Sequence, residues 1–404
     1  MKWEKVAIKD ICTGIYDGPH ATPPLSDTGA IFLGISNFNN GRLDFSDIRY
    51  ISEDDLPKWT KRVIPQKNDI VFSYEATLNL YAIIPEGFRG CLGRRMALLR
   101  VDETKADYKF LYYYFYSDAW RATVNENIVL GATVDRIPLI KFPDFPVELP
   151  PLETQHRIAD ILSAYDDLIE NNQKQIKLLE EAAQRIYKEW FVDLRFPGYE
   201  NTKIVDGVPE EWRVASIADI CDTVGGGTPS TKIQSYYEKG DILWVTPTDI
   251  TRNFSLALLD TEKKITPEGL KNSSAKMLPA ETILMTSRAS VGFFGMCKYE
   301  VCTNQGFISC IPKRENLQMY LLFNLKSRVE EIRQKAGGST YLEISKTVFR
   351  ELKIILPKDE VLAEYQKNVH DIFDEIYCRT EMIKSLVDMR NRLLPKLMSG
   401  EVEV

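Results

Sequence analysis

The sequence predicts an α+β protein in which two domains of mixed strands and helices alternate with two long helices. Three observations predict this fold. The chain has 404 residues, a length that suits two or three domains. Two long segments without glycine, 150–191 and about 359–398, carry apolar residues at heptad spacing. The shift of 207 residues that aligns these segments also carries Pro150 onto Pro357, which indicates an internal repeat.

The two long segments are predicted to be helices that pack against another helix. Pro150-Pro151 stands where the first helix can begin. Apolar residues then recur in two heptad columns, with Asn172 and Arg379 as equivalent polar breaks in one of them. Two unrelated amphipathic helices on separate cores are the alternative, but they do not explain the shared offset. The predicted helix-pair seam consists of Leu162, Tyr165, Ile169, Asn172, Ile176, Leu179, Ile186, Val369, Ile372, Ile376, Arg379, Ile383, Leu386 and Leu393.

The segments that precede the helices also resemble each other. Trp3 and Asp10-Ile11-Cys12 recur as Trp212 and Asp219-Ile220-Cys221, and a run rich in Gly, Pro and Thr follows each. Short apolar runs bounded by turn residues predict strands at 31–33, 70–72, 242–245 and 283–285, with helices at about 107–122 and 317–335. The predicted division is a first domain 1–149, a helix 150–193, a linker 194–208, a second domain 209–357 and a helix 358–404.

The net charge of −7 at first argues against a nucleic-acid partner. The excess lies in the helical segments, because 151–193 and 358–404 carry −4 and −3. The remainder is neutral and is able to display a basic face. The acidic exterior of the helices has two interpretations. It is either an ordinary solvated surface, or a functional surface that repels the backbone of a nucleic acid or binds basic surfaces of partner proteins.

Cellular location is predicted from two features. No apolar run approaches the ~18 residues that span a bilayer, and no apolar signal-peptide core follows the first five residues. The seven cysteines are scattered, which suits reduced, mostly buried thiols. We therefore expect a cytoplasmic protein with no membrane partner.

The sequence lacks recognisable motifs for catalysis or cofactor binding. The run Gly225-Gly226-Gly227-Thr228-Pro229 contains a helix-breaking proline and lacks the Gly-Lys-Ser/Thr ending of a phosphate loop. No dinucleotide fingerprint follows a strand, and Cys297, Cys302 and Cys310 lack the CxxC pairing and nearby histidine of a zinc site. We therefore expect no catalytic, cofactor-binding or metal-binding residue in this chain.

Several segments, taken together, resemble the specificity (S) subunits of type I restriction-modification systems. Segment 150–191 is similar to the central conserved region of that family, and 208–230 resembles the start of its second target recognition domain. Segment 394–401 resembles the C-terminal repeat of the family. Three further runs resemble recurring elements of the recognition domains: DGPHATPP (17–24), RRMALL (94–99) and NQGF (304–307). The resemblance covers essentially the whole chain.

This resemblance implies both an architecture and a function. Two α/β target recognition domains would be separated by two long helices, packed as an antiparallel coiled coil with pseudo-two-fold symmetry. Each domain would read one half of a bipartite double-stranded DNA target, and the helices would dock two copies of a methyltransferase (M) subunit. Two restriction (R) subunits can join. S-adenosylmethionine, ATP and magnesium would belong to those partners, and this chain would be a non-catalytic subunit.

Base reading requires polar side chains on loops or helix ends, with phosphate contacts that fix the register. The candidates for DNA contact are His20, Thr22, Ser36, Asn37, Tyr74, Arg94, Arg95, Thr228, Ser230, Thr246, Thr248, Ser287, Arg288, Ser290 and Gln305. Each has a structural alternative. The glycine run 225–227 can serve only a turn, Asn304 and Gln305 can cap backbone groups, and 246–249 can end a strand and cap a helix.

Two other function classes remain open at this point. A coiled-coil interaction or scaffold protein would use its flanking domains to bind protein. A self-sufficient DNA-modifying enzyme is disfavoured by the missing glycine-rich cofactor loop and by the missing Asn/Asp-Pro-Pro-aromatic motif, since Leu149 precedes Pro150-Pro151.

Overall fold

The computed structural model describes residues 3–131, 134–338 and 341–404. The chain divides into two compact units. The first consists of residues 1–167 and 386–404, and the second of residues 168–385. Each long helix contributes residues to both units.

The first unit combines strands with short helices. Its strands are β1 (Glu4–Ala7), β2 (Cys12–Asp17), β3 (Ala30–Leu33), β4 (Phe38–Asn39), β5 (Arg42–Leu43), β6 (Tyr50–Ile51), β7 (Ile70–Ser73), β8 (Tyr81–Ile83), β9 (Gly90–Leu92), β10 (Met96–Val101) and β11 (Pro146–Leu149). Its helices are α1 (Leu56–Trp59), α2 (Tyr108–Tyr114), α3 (Asp118–Asn127) and the beginning of α4 (Leu152–Phe191).

Two sheets organise the first unit. One has the antiparallel order β2-β10-β7-β8, and the other the order β6-β3-β9, in which β3 and β9 run parallel. Helices α2 and α3 supply aromatic side chains to a buried core, where the rings of Phe72 and Phe142 stack with centroids 4.7 Å apart. Leu162 and Leu397 are buried in the same core. The final residues of the chain therefore belong to the first unit's core.

The second unit has the same kind of composition. Its strands are β12 (Ile204–Val205), β13 (Val208–Pro209), β14 (Arg213–Ser216), β15 (Cys221–Val224), β16 (Ile242–Val245), β17 (Lys264–Ile265), β18 (Ile283–Thr286), β19 (Phe294–Gly295), β20 (Cys302–Thr303), β21 (Phe307–Pro312) and β22 (Lys353–Leu356). Its helices are most of α4, α5 (Ile217–Ile220), α6 (Pro247–Thr251), α7 (Pro267–Lys271), α8 (Gln318–Ser327), α9 (Val329–Gln334), α10 (Lys346–Arg350) and most of α11 (Asp359–Met398).

The sheets of the second unit repeat the topology of the first. One sheet has the order β15-β21-β18-β19, and the other the order β17-β16-β20, with β16 and β20 parallel. The outer pair β14–β22 matches the pair β1–β11. Since both units have corresponding strands in corresponding order, the predicted internal repeat and α+β fold class are confirmed.

The structure corrects the two shorter helices predicted from sequence, because each is broken in two. Between α2 and α3, the Ser117 hydroxyl accepts a hydrogen bond from the Trp120 amide at 3.2 Å and caps α3. Between α8 and α9, the backbone leaves helical geometry at Arg328, with φ −113° and ψ 19°. The N-cap residue of a helix has an extended backbone, so the helix that precedes it has to end before that residue.

The long helices α4 and α11 are each 40 residues long and begin and end 207 positions apart. Within the second unit they run antiparallel, since Asn172 contacts Arg379 and Tyr187 packs near Tyr365 with ring centroids 6.4 Å apart. At 1.5 Å per residue, each helix is ~60 Å long.

Candidate nucleic-acid interface

In the first unit, one cluster of loops brings together three of the predicted DNA-contacting residues. The Tyr74 hydroxyl donates to the backbone carbonyl of Arg94 at 2.8 Å and lies 3.4 Å from Nδ1 of His20. His20 Nε2 lies 2.9 Å from an oxygen of Asp17. Burial, with the nearby carboxylates of Asp17 and Glu75, raises the pKa of Tyr74 to about 12. Tyr74 is therefore a neutral phenol that positions the loop, while Arg94 and His20 are exposed.

Two further arginines lie in this cluster. Arg95 Nε is 3.5 Å from an oxygen of Glu75. Arg62, which was not predicted, donates to the carboxylate of Asp17. Sequence reasoning missed Arg62 because 45 residues separate it from the aspartate that it contacts. The cluster pairs each of these cations with an acidic side chain, so its charge is mixed rather than purely basic.

The other candidates of the first unit differ in their accessibility. Thr22 and Ser36 are exposed. Asn37 is only 1% exposed. Its amide oxygen accepts from the Gly34 backbone at 2.9 Å, and its amide nitrogen donates to the carbonyl oxygens of Asp44 and Asp47. This full set of hydrogen bonds favours a structural role for Asn37, whereas DNA contact by Thr22 and Ser36 stays a prediction.

In the second unit, the glycine run lies against the loop before β21. The Thr228 hydroxyl donates to the side-chain oxygen of Gln305, and both residues are exposed. An added Cβ at Gly226 would lie 2.1 Å from the carbonyl oxygen of Thr303. Asn304 accepts from the Gly306 amide at 2.8 Å and so caps the backbone. Close packing against backbone therefore explains Gly226, and Thr228 and Gln305 are exposed polar groups of this contact.

The remaining candidates of the second unit fall into two groups. Thr246 is the N-cap residue of α6, and its amide and hydroxyl donate to the Asp249 carboxylate at 2.8 and 2.6 Å. Ser287 is 3% exposed, which favours a structural role for its side chain. The exposed candidates are Ser230, Thr248, Arg288 and Ser290. Arg288 Nε lies 3.8 Å from an oxygen of Glu343.

The predicted helix-pair seam is buried to different degrees. One column of α4 is buried along its length, and the other is partly exposed apart from Asn172. The buried seam positions are Leu162, Ile169, Asn172, Ile176, Val369, Ile376 and Ile383. The half-buried ones are Tyr165, Leu179, Ile186, Ile372, Arg379, Leu386 and Leu393. The predicted seam omitted three buried aromatic residues of these helices. Tyr187 and Phe373 lie one position beyond the half-buried column, and Tyr365 lies in that column, seven positions before Ile372.

A buried polar network joins helix residues within the first unit. The Asp166 carboxylate accepts from the Tyr113 hydroxyl at 2.6 Å and from the Arg390 guanidinium. The backbone carbonyl of Asp166 accepts from Arg42 at 2.8 Å. Burial and the nearby Asp166 charge raise the pKa of Tyr113, which keeps its hydroxyl a donor. The equivalent positions of the other repeat are Phe373 and Ala183, so this network distinguishes the two halves.

One group of described residues has ligand atoms close enough together to hold a metal ion: Glu281, His370 and Asp374, within 4.8 Å of one another. However, the two ring nitrogens of His370 face different carboxylates, at 3.0 Å for Glu281 and 3.3 Å for Asp374. Lys298 also lies 2.6 Å from Asp374. Groups of the protein therefore already contact both carboxylates and both ring nitrogens.

Three cysteines, Cys12, Cys91 and Cys302, lie in surroundings that disfavour the nucleophilic thiolate form. Burial raises the pKa of the Cys12, Cys91 and Cys302 thiols to about 12, so these groups stay protonated at neutral pH. Cys378 is exposed on α11. Over the same described ranges, no helix combines the length and apolar character that crossing a membrane requires.

Comparison with known proteins identifies the family. The model of the type I restriction modification DNA specificity domain matches residues 1–181 and 209–387. The MjaIX specificity subunit of Methanocaldococcus jannaschii is 38% identical over 42% of this chain and 39% of its own length. A second relative from that organism, the putative MjaX specificity subunit, is 24% identical over 100% of this chain and 94% of its own length.

A solved structure agrees with the fold. The type I restriction-modification S subunit from M. genitalium aligns with a TM-score of 0.58 at 17% sequence identity, over 98% of this chain and 96% of that one. The two family matches coincide with the two halves of the internal repeat, each comprising a domain and most of a long helix. The chain therefore belongs to the family of type I restriction-modification DNA specificity subunits, the non-catalytic members of those systems.

Proposed function

We propose that this chain recognises a bipartite double-stranded DNA target, with each recognition domain reading one half. The observation that carries this proposal is the repeat itself. Both units have the same sheet order, and each presents exposed loops at the start of an equivalent strand, β10 or β21. The residues before those strands differ, since Arg94 and Arg95 stand in one unit where Gln305 and the buried Gly306 stand in the other. A shared scaffold with different polar side chains suits two readers of different sequences.

The proposed domain organisation follows the sequence division. Residues 1–149 and 209–357 are the recognition domains, 194–208 the linker, and 150–193 and 358–404 the spacer helices. The long helices repeat at an offset of 207, so they offer similar surfaces. Similar surfaces allow two copies of one partner to bind in equivalent ways. We assign these surfaces to two M subunits, which two R subunits can join in the cytoplasm.

The proposed division of labour places cofactors on the partners. S-adenosylmethionine would supply the methyl group on the M subunits, and ATP and magnesium would serve the assembled complex. The contribution of this chain is to hold those subunits at a chosen DNA sequence. Its exposed arginines and hydroxyl groups provide phosphate and base contacts.

The test is a binding titration of the chain in complex with its M subunit against duplex DNA libraries. We expect binding that falls with rising salt and that selects a two-part sequence. Binding without sequence preference would favour the scaffold alternative. Labelled S-adenosylmethionine bound by the isolated chain would instead favour a self-sufficient enzyme.

A further inference from the structure

Two loops at equivalent places have the same local backbone. The first, residues 74–77, follows β7, and the second, residues 287–290, follows β18. In the first unit the hydroxyl of Ser73 donates to the carbonyl of Thr77. In the second, the hydroxyl of Thr286 donates to the carbonyl of Ser290. The same internal bond therefore closes both loops.

A left-handed alanine lies in each loop. Ala76 has φ 71° and Ala289 has φ 60°, a conformation that costs energy for a residue with a Cβ. The amide of Ala76 donates to the carbonyl of Asp135 at 3.1 Å, and that of Ala289 to the carbonyl of Leu342 at 2.8 Å. Strained residues held by the surrounding structure are concentrated at functional sites. The two loops therefore share their internal hydrogen bond, their strained alanine and the backbone hydrogen bond that holds that alanine.

The residue before each alanine carries opposite charge in the two loops. Glu75 occupies this position in the first loop, with a side chain 30% exposed, and Arg288 in the second, with a side chain 49% exposed. Their partners are Arg95 at 3.5 Å and Glu343 at 3.8 Å. Both distances exceed those of ordinary hydrogen bonds, so each pair is held by the attraction of opposite charges and not by a hydrogen bond of ordinary length.

We propose that Glu75 and Arg288 are base-reading residues at equivalent places in the two halves, with opposite chemistry. Glu75 accepts a hydrogen bond from the exocyclic amine of cytosine, and Arg288 donates to O6 and N7 of guanine. Arg95 and Glu343 hold the charged groups until DNA replaces them, which makes them positioning residues. The inference rests on the proposed function, since it assigns the specificity of the same surfaces.

The loop geometry does not depend on these two side chains, which supports their assignment to a ligand. Backbone groups and the Ser73 and Thr286 hydroxyls supply the bonds that close each loop. Substitutions of Glu75 and Arg288 should therefore leave the backbone conformation of the two loops unchanged. A residue that reads a base needs this property. Its side chain determines which DNA sequence is recognised, while the loop that carries it keeps the same conformation.

The experiment maps the methylated motif base by base for the complete complex with its M subunits. Glu75→Gln should reduce discrimination at one base pair in one half of the target by about tenfold, and Arg288→Gln should do so in the other half. The half of the DNA target that is read by the unsubstituted domain should keep its sequence in each variant. Thermal unfolding followed by circular dichroism identifies any variant that loses its fold, and Glu75→Ala and Arg288→Lys then replace it.

Glu103→Gln and Arg314→Gln are the matched controls. Glu103 and Arg314 lie beyond the far ends of β10 and β21, about 20 Å along each strand from the loops. These two variants make the same changes of side chain as the test variants, and they should leave the methylated DNA motif unchanged. If the wild-type complex shows no two-part preference, the proposed function fails. If the wild type reads its target and neither Glu75→Gln nor Arg288→Gln alters a base preference, this inference alone is overturned.

Discussion

Arg379 donates a hydrogen bond to the amide oxygen of Asn172 at 3.2 Å. The two residues are 207 positions apart, the offset of the helix repeat, so equivalent positions of the two helices face each other. Asn172 is 4% exposed and also donates to the carbonyl of Leu168 at 2.8 Å. A polar contact between a buried asparagine and a half-buried arginine in an apolar seam fixes the register at some cost in stability.

Arg379→Leu should destabilise the protein, because it leaves the buried oxygen of Asn172 without a donor. The expected loss is about 1–3 kcal/mol in the free energy of unfolding. The double variant Asn172→Leu/Arg379→Leu should recover most of it, since both polar groups are then absent. Urea unfolding monitored by far-ultraviolet circular dichroism measures these changes, with Arg185→Leu, at an exposed arginine of α4, as the control. A single variant as stable as the wild type would show that the contact does not hold the seam.

Arg390→Met should weaken the first unit, because it leaves the Asp166 carboxylate buried without its cationic partner. Asp166 has a side chain 12% exposed, and that of Arg390 is 24% exposed. Removal of one member of such a pair costs about 3 kcal/mol. The neighbouring exposed Arg392, changed to methionine, is the control. Equal unfolding midpoints for the two variants would contradict a structural role for this ion pair.

Arg94→Ala should reduce DNA affinity through the loss of a phosphate contact. Its guanidinium is exposed, while its backbone carbonyl is held by Tyr74. A single phosphate contact contributes about one to the slope of log affinity against log salt, similarly for all sequences. If Arg94 instead reads guanine, discrimination at one base pair falls by about 1–3 kcal/mol. Titrations at several salt concentrations separate these outcomes, and unchanged affinity together with unchanged base preference would assign Arg94 to structure.

The length of α4 should set the distance between the two half-sites. Four residues inserted within 173–175 lengthen the helix by ~6 Å and rotate the residues beyond the insertion by about 40°. Since a base pair rises ~3.4 Å, the unspecified spacer should grow by roughly one to two base pairs, with both half-site sequences unchanged. Some stability should be lost, because one heptad column is displaced. Motif mapping of the variant gives the answer, and an active variant with an unchanged spacer would exclude the helix as a ruler.

The long helices could be predicted closely, because heptad periodicity and flanking prolines are local signals. The predicted start at Asp359 and end near Met398 coincide with α11. The break at Ser117 was missed, because in sequence a capping serine inside an apolar run looks like any serine of a helix. The structure distinguishes it, because its hydroxyl accepts a hydrogen bond from the Trp120 amide. Apolar periodicity therefore fixes the existence and length of elements better than their interruptions.

The loop clusters were less predictable, because their contacts join residues far apart in sequence. Polar residue type led to Tyr74, Arg94 and His20, which do meet, but equally to Asn37, whose amide group is fully used by the backbone. Glu75 was overlooked because an acidic residue is an unexpected neighbour for a polyanion. Only the equivalence of the loops after β7 and β18 reveals that it occupies the position of Arg288.

The central claim is that each recognition domain reads its own half of the target. The most direct measurement is genome-wide methylation mapping in cells whose chain carries, in place of residues 1–145, the same region of another family member. One half-site should change to that of the donor, while the other half-site keeps its sequence. Simultaneous change of both half-sites would contradict independent reading by the two domains.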